Sequence, residues 1–142
     1  MSTDQTEADL EGPPDILTVN YEIQRLQGYH DRLEALVNTK DERDQEAINA
    51  FTEGFLIHYR NLLDFLDSRG GDDDIKASDF APEFKSTLSP EKYRDRINKR
   101  LAHLSRSRSQ YSKHWEFTTM LVEIRDAWDE FVIALLSTVE EE

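Results

Sequence analysis

The sequence predicts an all-α fold, a four-helix up-down bundle with a long connection between helices 2 and 3. Three observations carry that expectation. Four separate segments place apolar residues at steps of three and four, the period of a helix with one buried face. No segment alternates apolar and polar residues in the way a half-buried strand does. Clusters of small and polar residues at 38–40, 69–74 and 105–109 separate the four segments into helix-length pieces. A chain of 142 residues is enough for one domain with a real core.

Residues 1–13 form an acidic, polar tail closed by Pro13 and Pro14, and disorder is expected there. A single bundle domain is expected over 14–139, followed by a short acidic tail at 140–142. The first helix starts near Asp15, because Ile16, Val19, Ile23, Leu26, Leu33 and Val37 share one stripe; it ends near Asn38, Thr39 and Lys40. The second helix takes Thr39 or Asp41 as its N-cap. Its stripe is Ile48, Phe51, Phe55, Tyr59, Leu62 and Leu66, and it runs to about Ser68, with Gly70-Gly71 as the stop. Residues 69–88 make the long connection, which Ile75, Phe80 and Phe84 can pin to the bundle. Its run Asp72-Asp73-Asp74 reads as a solvated turn. The third helix has Ser89 as cap, Pro90 at the first helical position and Glu91 at the positive end of the helix dipole. Tyr93, Ile97, Leu101 and Leu104 form its buried stripe. In the fourth helix Phe117, Met120, Leu121, Ile124, Trp128, Phe131, Val132, Leu135 and Val139 fall on one face, with Glu116, Glu123, Asp126 and Glu130 opposite.

Composition narrows the function classes. There are no cysteines, so disulfides, thiolate metal ribbons and thiol nucleophiles are excluded. Apolar runs are a few residues long, so no membrane span is expected, and the acidic N-terminus does not read as a signal peptide. A cytoplasmic protein follows by default. Phosphate-loop and dinucleotide glycine motifs, serine-nucleophile contexts and any Glu-x-x-His pair are absent, so no cofactor is expected. Glu42, Glu46, Glu123 and Asp126 read as solvated faces rather than a metal cluster, and no metal site is expected. The net charge of −13 repels nucleic acid and anionic membranes globally. It also fits a source adapted to high salt, or an ordinary acidic bacterial protein.

Against that background one segment is basic. Nine of the 17 Lys and Arg residues lie between Lys85 and Lys113, opposed only by Glu91 and Asp95. The segment is either an anion site, with Lys99, Arg100 and Arg106 as phosphate contacts, or a basic face that pairs with acidic neighbours or a second subunit. Within it, Arg96 and His103 are seven residues apart, so on an unbroken helix they project within about 20° of each other and about 10 Å apart. An arginine can hold a phosphate in a charge-assisted fork, and a histidine can move protons near neutral pH. Arg25 with His30 and Arg108 with His114 also have short spacings but diverge by about 140° and 120°. His30 lies in an apolar stripe and reads as a packed, hydrogen-bonded histidine. His58 and Asn61 flank the stripe of the second helix about 60° apart and are candidates to line the same groove as His103.

The run Arg96-Ile97-Asn98-Lys99-Arg100-Leu101-Ala102-His103 resembles the signature of the HEPN superfamily of small α-helical domains, an arginine followed after four to six residues by a histidine. Asn98-Lys99-Arg100-Leu101-Ala102-His103 resembles the form common in abortive-infection members. The resemblance implies a homodimer with the two motifs at its interface and a metal-independent endoribonuclease acting in defence or a toxin–antitoxin pair, with RNA and an antitoxin as partners. It implies His103 in proton transfer, Arg96 on the phosphate and Asn98 orienting the site. The alternative is a non-catalytic helical dimerisation or interaction protein, antitoxin-like or regulatory, whose basic third helix binds an acidic partner or its own acidic surface.

Overall fold

The computed structural model describes residues 14–36, 41–89, 91–102 and 115–141. Among the described residues there are four α-helices and no strands: α1 (Pro14–Leu36), α2 (Glu42–Leu66), α3 (Glu91–Ala102) and α4 (Phe117–Glu141), with a 3-10 turn at Ala77–Asp79 in the connection. Contacts set the directions. Glu22 of α1 meets His58 and Asn61 of α2, while Tyr29 meets Phe51, so these helices run antiparallel. Asp64 and Arg60 of α2 meet Arg94 and Asn98 of α3, again antiparallel. His30 meets Thr118 and Gln27 meets Arg125, so α4 runs antiparallel to α1. The result is the up-down order that the four stripes predicted.

Local signals start and stop α2. Asp41 is its N-cap: in extended conformation (φ −75°, ψ 131°) its carboxylate accepts the Arg43 N–H at 2.9 Å. That satisfies one of the unpaired donors at the helix start. The C-terminus stops earlier than the glycine pair suggested. Ser68 takes the left-handed conformation at φ 54°, its N–H bonds to the Phe65 carbonyl, and the Arg69 N–H bonds back to the Asp64 carbonyl. This is a Schellman closure built on serine rather than glycine. Gly70, at φ 126°, then turns the chain where a Cβ would lie 2.4 Å from the Asp74 carboxylate.

The core follows the stripes. Leu26, Phe55, Leu56, Leu62, Ile97, Met120, Ile124 and Phe131 are fully buried. The connection is pinned by aromatic packing: Phe65, Phe80, Phe84 and Trp128 surround Phe131 with ring centroids 5.2–6.5 Å apart. Such edge-on and tilted pairs add to the area they bury. Gly54 lets α1 and α2 close, since a Cβ there would sit 2.6–2.9 Å from the Tyr29 ring. Helix α4 continues through Glu140 to Glu141. One expectation is corrected near this end: Val139, assigned to the buried stripe, is 59% exposed. Leu104 and the acidic tail 1–13 lie outside the described residues. No described helix is long and apolar enough to cross a membrane.

Candidate functional site

Helix α3 presents Tyr93 and Ile97 to the core, and this orientation decides where its cations go. Arg94 donates to Asp64 of α2 at 2.7 Å. Arg100, with only 9% of its surface exposed, reaches Glu53 of α2 at 3.4 Å. Lys92 bonds Glu123 of α4 at 3.1 Å, and Lys99 pairs with Asp95 one turn back at 3.2 Å. The Arg96 guanidinium lies over the buried Trp115 ring, 4.4 Å from its centroid, a cation–π contact. Asn98 accepts a hydrogen bond from Arg60 at 3.3 Å. Each described cation of α3 therefore meets a carboxylate or an aromatic face of its own chain. Burial leaves the Arg94 Nε and Nη2 and the Arg100 Nε without hydrogen-bond partners among the described residues. Tyr93 donates to Glu116 at 2.7 Å; its pKa is raised, by burial first and by that hydrogen bond second.

The residues predicted for a site are only partly placed. Arg96, Asn98, Lys99 and Arg100 are on α3 as described. His103 and Arg106 lie outside the described residues, so the convergence of Arg96 with His103 is not part of this geometry. His58 and Asn61 do not face α3. They grip Glu22 of α1: His58 Nδ1 bonds one carboxylate oxygen and Asn61 Nδ2 donates to the other at 3.4 Å. The physical reason is helical phase. His58 and Arg60 are two positions apart, 200° around α2, so the flank that carries Arg60 toward α3 turns His58 toward α1. Tyr29 stacks on the His58 ring at 5.6 Å and accepts from Arg25 at 3.0 Å, completing a polar seam between α1 and α2.

His30 is buried in the α1 stripe. Its Nδ1 lies 3.1 Å from the Asp31 carboxylate, which only accepts, so Nδ1 carries a proton, and the Thr118 hydroxyl lies 2.9 Å from Nε2. Hydrogen bonds from His30 and Gln27 lower the Asp31 pKa. With Glu34 these residues form the one group of three described side chains close enough to share a metal ion, but both imidazole nitrogens already have partners. A cleft of about 330 Å³ opens between α1, the end of α2 and the connection. Its floor includes Val19, Leu62 and Phe65, and its walls carry Glu22, Asp64 and Asp73.

The feature that sequence reasoning missed is apolar and exposed. Leu17 of α1 is 53% exposed, and Ile133, Leu136 and Val139 of α4 are 65%, 56% and 59% exposed. The signal was present in the sequence, since the last turns of α4 are apolar on more than one face, but a stripe at one phase was enough to account for the core. No protein-family model matches this chain, and no curated protein or solved structure matches it.

Proposed function

We propose that this chain is a non-catalytic helical interaction protein that docks another protein through the exposed apolar surface of α4. One observation carries the reading: cations of α3 are spent on the chain's own carboxylates and on Trp115, while large apolar side chains of α4 face outward. An RNA-cleaving site of the kind the HEPN resemblance implies needs guanidinium and ammonium groups offered to a phosphate. Apolar groups left open together mark association surfaces. The docking surface is then not the basic third helix but the exposed ridge of α4.

The test pairs two assays. Wild type, Arg96→Ala and His103→Ala are incubated with RNA in EDTA, and wild type and Leu136→Lys are compared for a stoichiometric protein partner retained through purification from the native source. The reading expects intact RNA in all three incubations and a partner that is lost in Leu136→Lys. Cleavage by wild type that disappears in both alanine variants would overturn it in favour of the nuclease.

A further inference from the structure

The apolar surface has a geometry and a charge that specify its occupant. Ile133, Leu136 and Val139 follow one another at steps of three, forming an i±3 ridge about 9 Å long on α4. Leu136 lies within about 20° of Arg125, whose guanidinium reaches Gln27 of α1, so the ridge runs along the α1 side of α4. Leu17 is not part of it: although level with Ile133 along the helix pair, it lies about 140° around α1 from His30, the residue that meets Thr118 of α4. Ile133, Leu136 and Val139 thus form one ridge at the end of α4. A ridge of this length and spacing accepts the apolar face of a single helix carrying anchors at i, i+3 or i+4, and i+7.

The surroundings of the patch are anionic. Asp126, Asp129 and Glu130 are exposed beside the ridge, and α4 has six carboxylate residues against Arg125 alone. A second copy would bring these like charges together, along with a net −13 on each chain. The acidic segment 1–13 of the same chain has the same sign. We infer that the exposed ridge of α4 binds a basic amphipathic helix of a different protein, with Lys or Arg flanking its apolar face. The inference rests on the interaction reading above and adds the chemistry of the partner.

Three fluorescein-labelled synthetic peptides test it against the full chain by anisotropy: a helix with a Leu ridge and Lys flanks, the same helix with Glu flanks, and a scrambled Lys peptide that cannot align its leucines. The expected result is that the Lys helix binds at least tenfold more tightly than either control, that Ile133→Lys and Leu136→Lys each remove this binding, and that Asp129→Asn weakens it several-fold. Both ridge positions are exposed, and circular dichroism confirms that the variants stay folded. Equal binding of the scrambled Lys peptide, or binding unchanged in both ridge variants, overturns the inference, because charge alone or another surface is then responsible. Equal binding of the Glu helix overturns the cationic partner but leaves the interaction reading intact. The same holds for a sedimentation experiment in which wild type is a dimer and Leu136→Lys a monomer, since a second copy then fills the patch. A monomeric wild type that binds none of the three peptides overturns the inference, and the co-purification assay decides separately whether the interaction reading survives.

Discussion

Replacing Arg100 by methionine should leave the protein as stable as before, or make it more stable, even though this removes a salt bridge. The Arg100 guanidinium is nine-tenths covered and lies 3.4 Å from Glu53. At an effective dielectric near 20 that separation gives about 5 kcal/mol of attraction. Against it stand a desolvation cost of several kcal/mol for the buried ion and about 1–3 kcal/mol for the Nε that finds no acceptor among the described residues. The terms nearly cancel, and a methionine filling the same space adds apolar burial without them. Glu53→Gln is a different perturbation, because it strands a buried cation. Breaking a buried pair costs about 3–5 kcal/mol. The Glu53 side chain is 44% exposed, so water makes up part of the loss, and about 1–2 kcal/mol is expected here. The double variant should match Arg100→Met alone. Urea unfolding followed by circular dichroism measures all three, and in a thermal scan Glu53→Gln should lower Tm by about 3–7 °C at this chain length. If Arg100→Met loses 2 kcal/mol or more while Glu53→Gln stays within about 0.5 kcal/mol of wild type, the buried-charge argument is wrong. Arg100 would then owe its place to a contact this geometry does not contain.

The remaining predictions concern the core and its titration. Phe131→Ala empties the centre of the aromatic cluster that holds the connection, and should cost about 3–5 kcal/mol with a loss of protection in residues 75–84 by hydrogen exchange; unchanged exchange there would show that the connection is held elsewhere. Burial raises the pKa of Tyr59 far above its ordinary value, so the folded chain keeps a proton that the unfolded chain releases near pH 10. Its contribution is therefore complete below pH 10 and is lost progressively as pH rises above it. Tyr59→Phe, which cannot ionise, should change stability little at pH 7 and should lose less than wild type between pH 10 and 12. Parallel stability curves for the two proteins over that range would contradict the assignment.

The fold was legible because it rests on local patterns. Ile48, Phe55, Tyr59, Leu62 and Leu66 lie on one side of any α-helix, and Asp41 caps whichever helix follows it, so length, order and core could be read along the chain. The exact end of α2 was less legible: Gly70-Gly71 is the stronger terminator by residue type, yet Ser68 makes the turn because its own N–H and that of Arg69 find the Phe65 and Asp64 carbonyls. The candidate site was legible as a set of chemical groups and not as a surface. Spacing could say that His58 and Asn61 share a flank, but not that the flank faces α1 and Glu22. In the same way it could count the cations of the third helix but not see that Asp64, Glu53, Glu123 and Trp115 would meet them.

The sequence by itself determined the four helices, their buried stripes and the concentration of positive charge on the third, since each depends on residues within a turn or two of one another. Only the tertiary structure decided what that charge and those faces meet. Whether a guanidinium is offered to solvent or buried against a carboxylate depends on which helix packs beside it and in what phase. Whether Ile133, Leu136 and Val139 are core or surface depends on where the neighbouring helices stop. Both are relations between distant segments, and no local period records them.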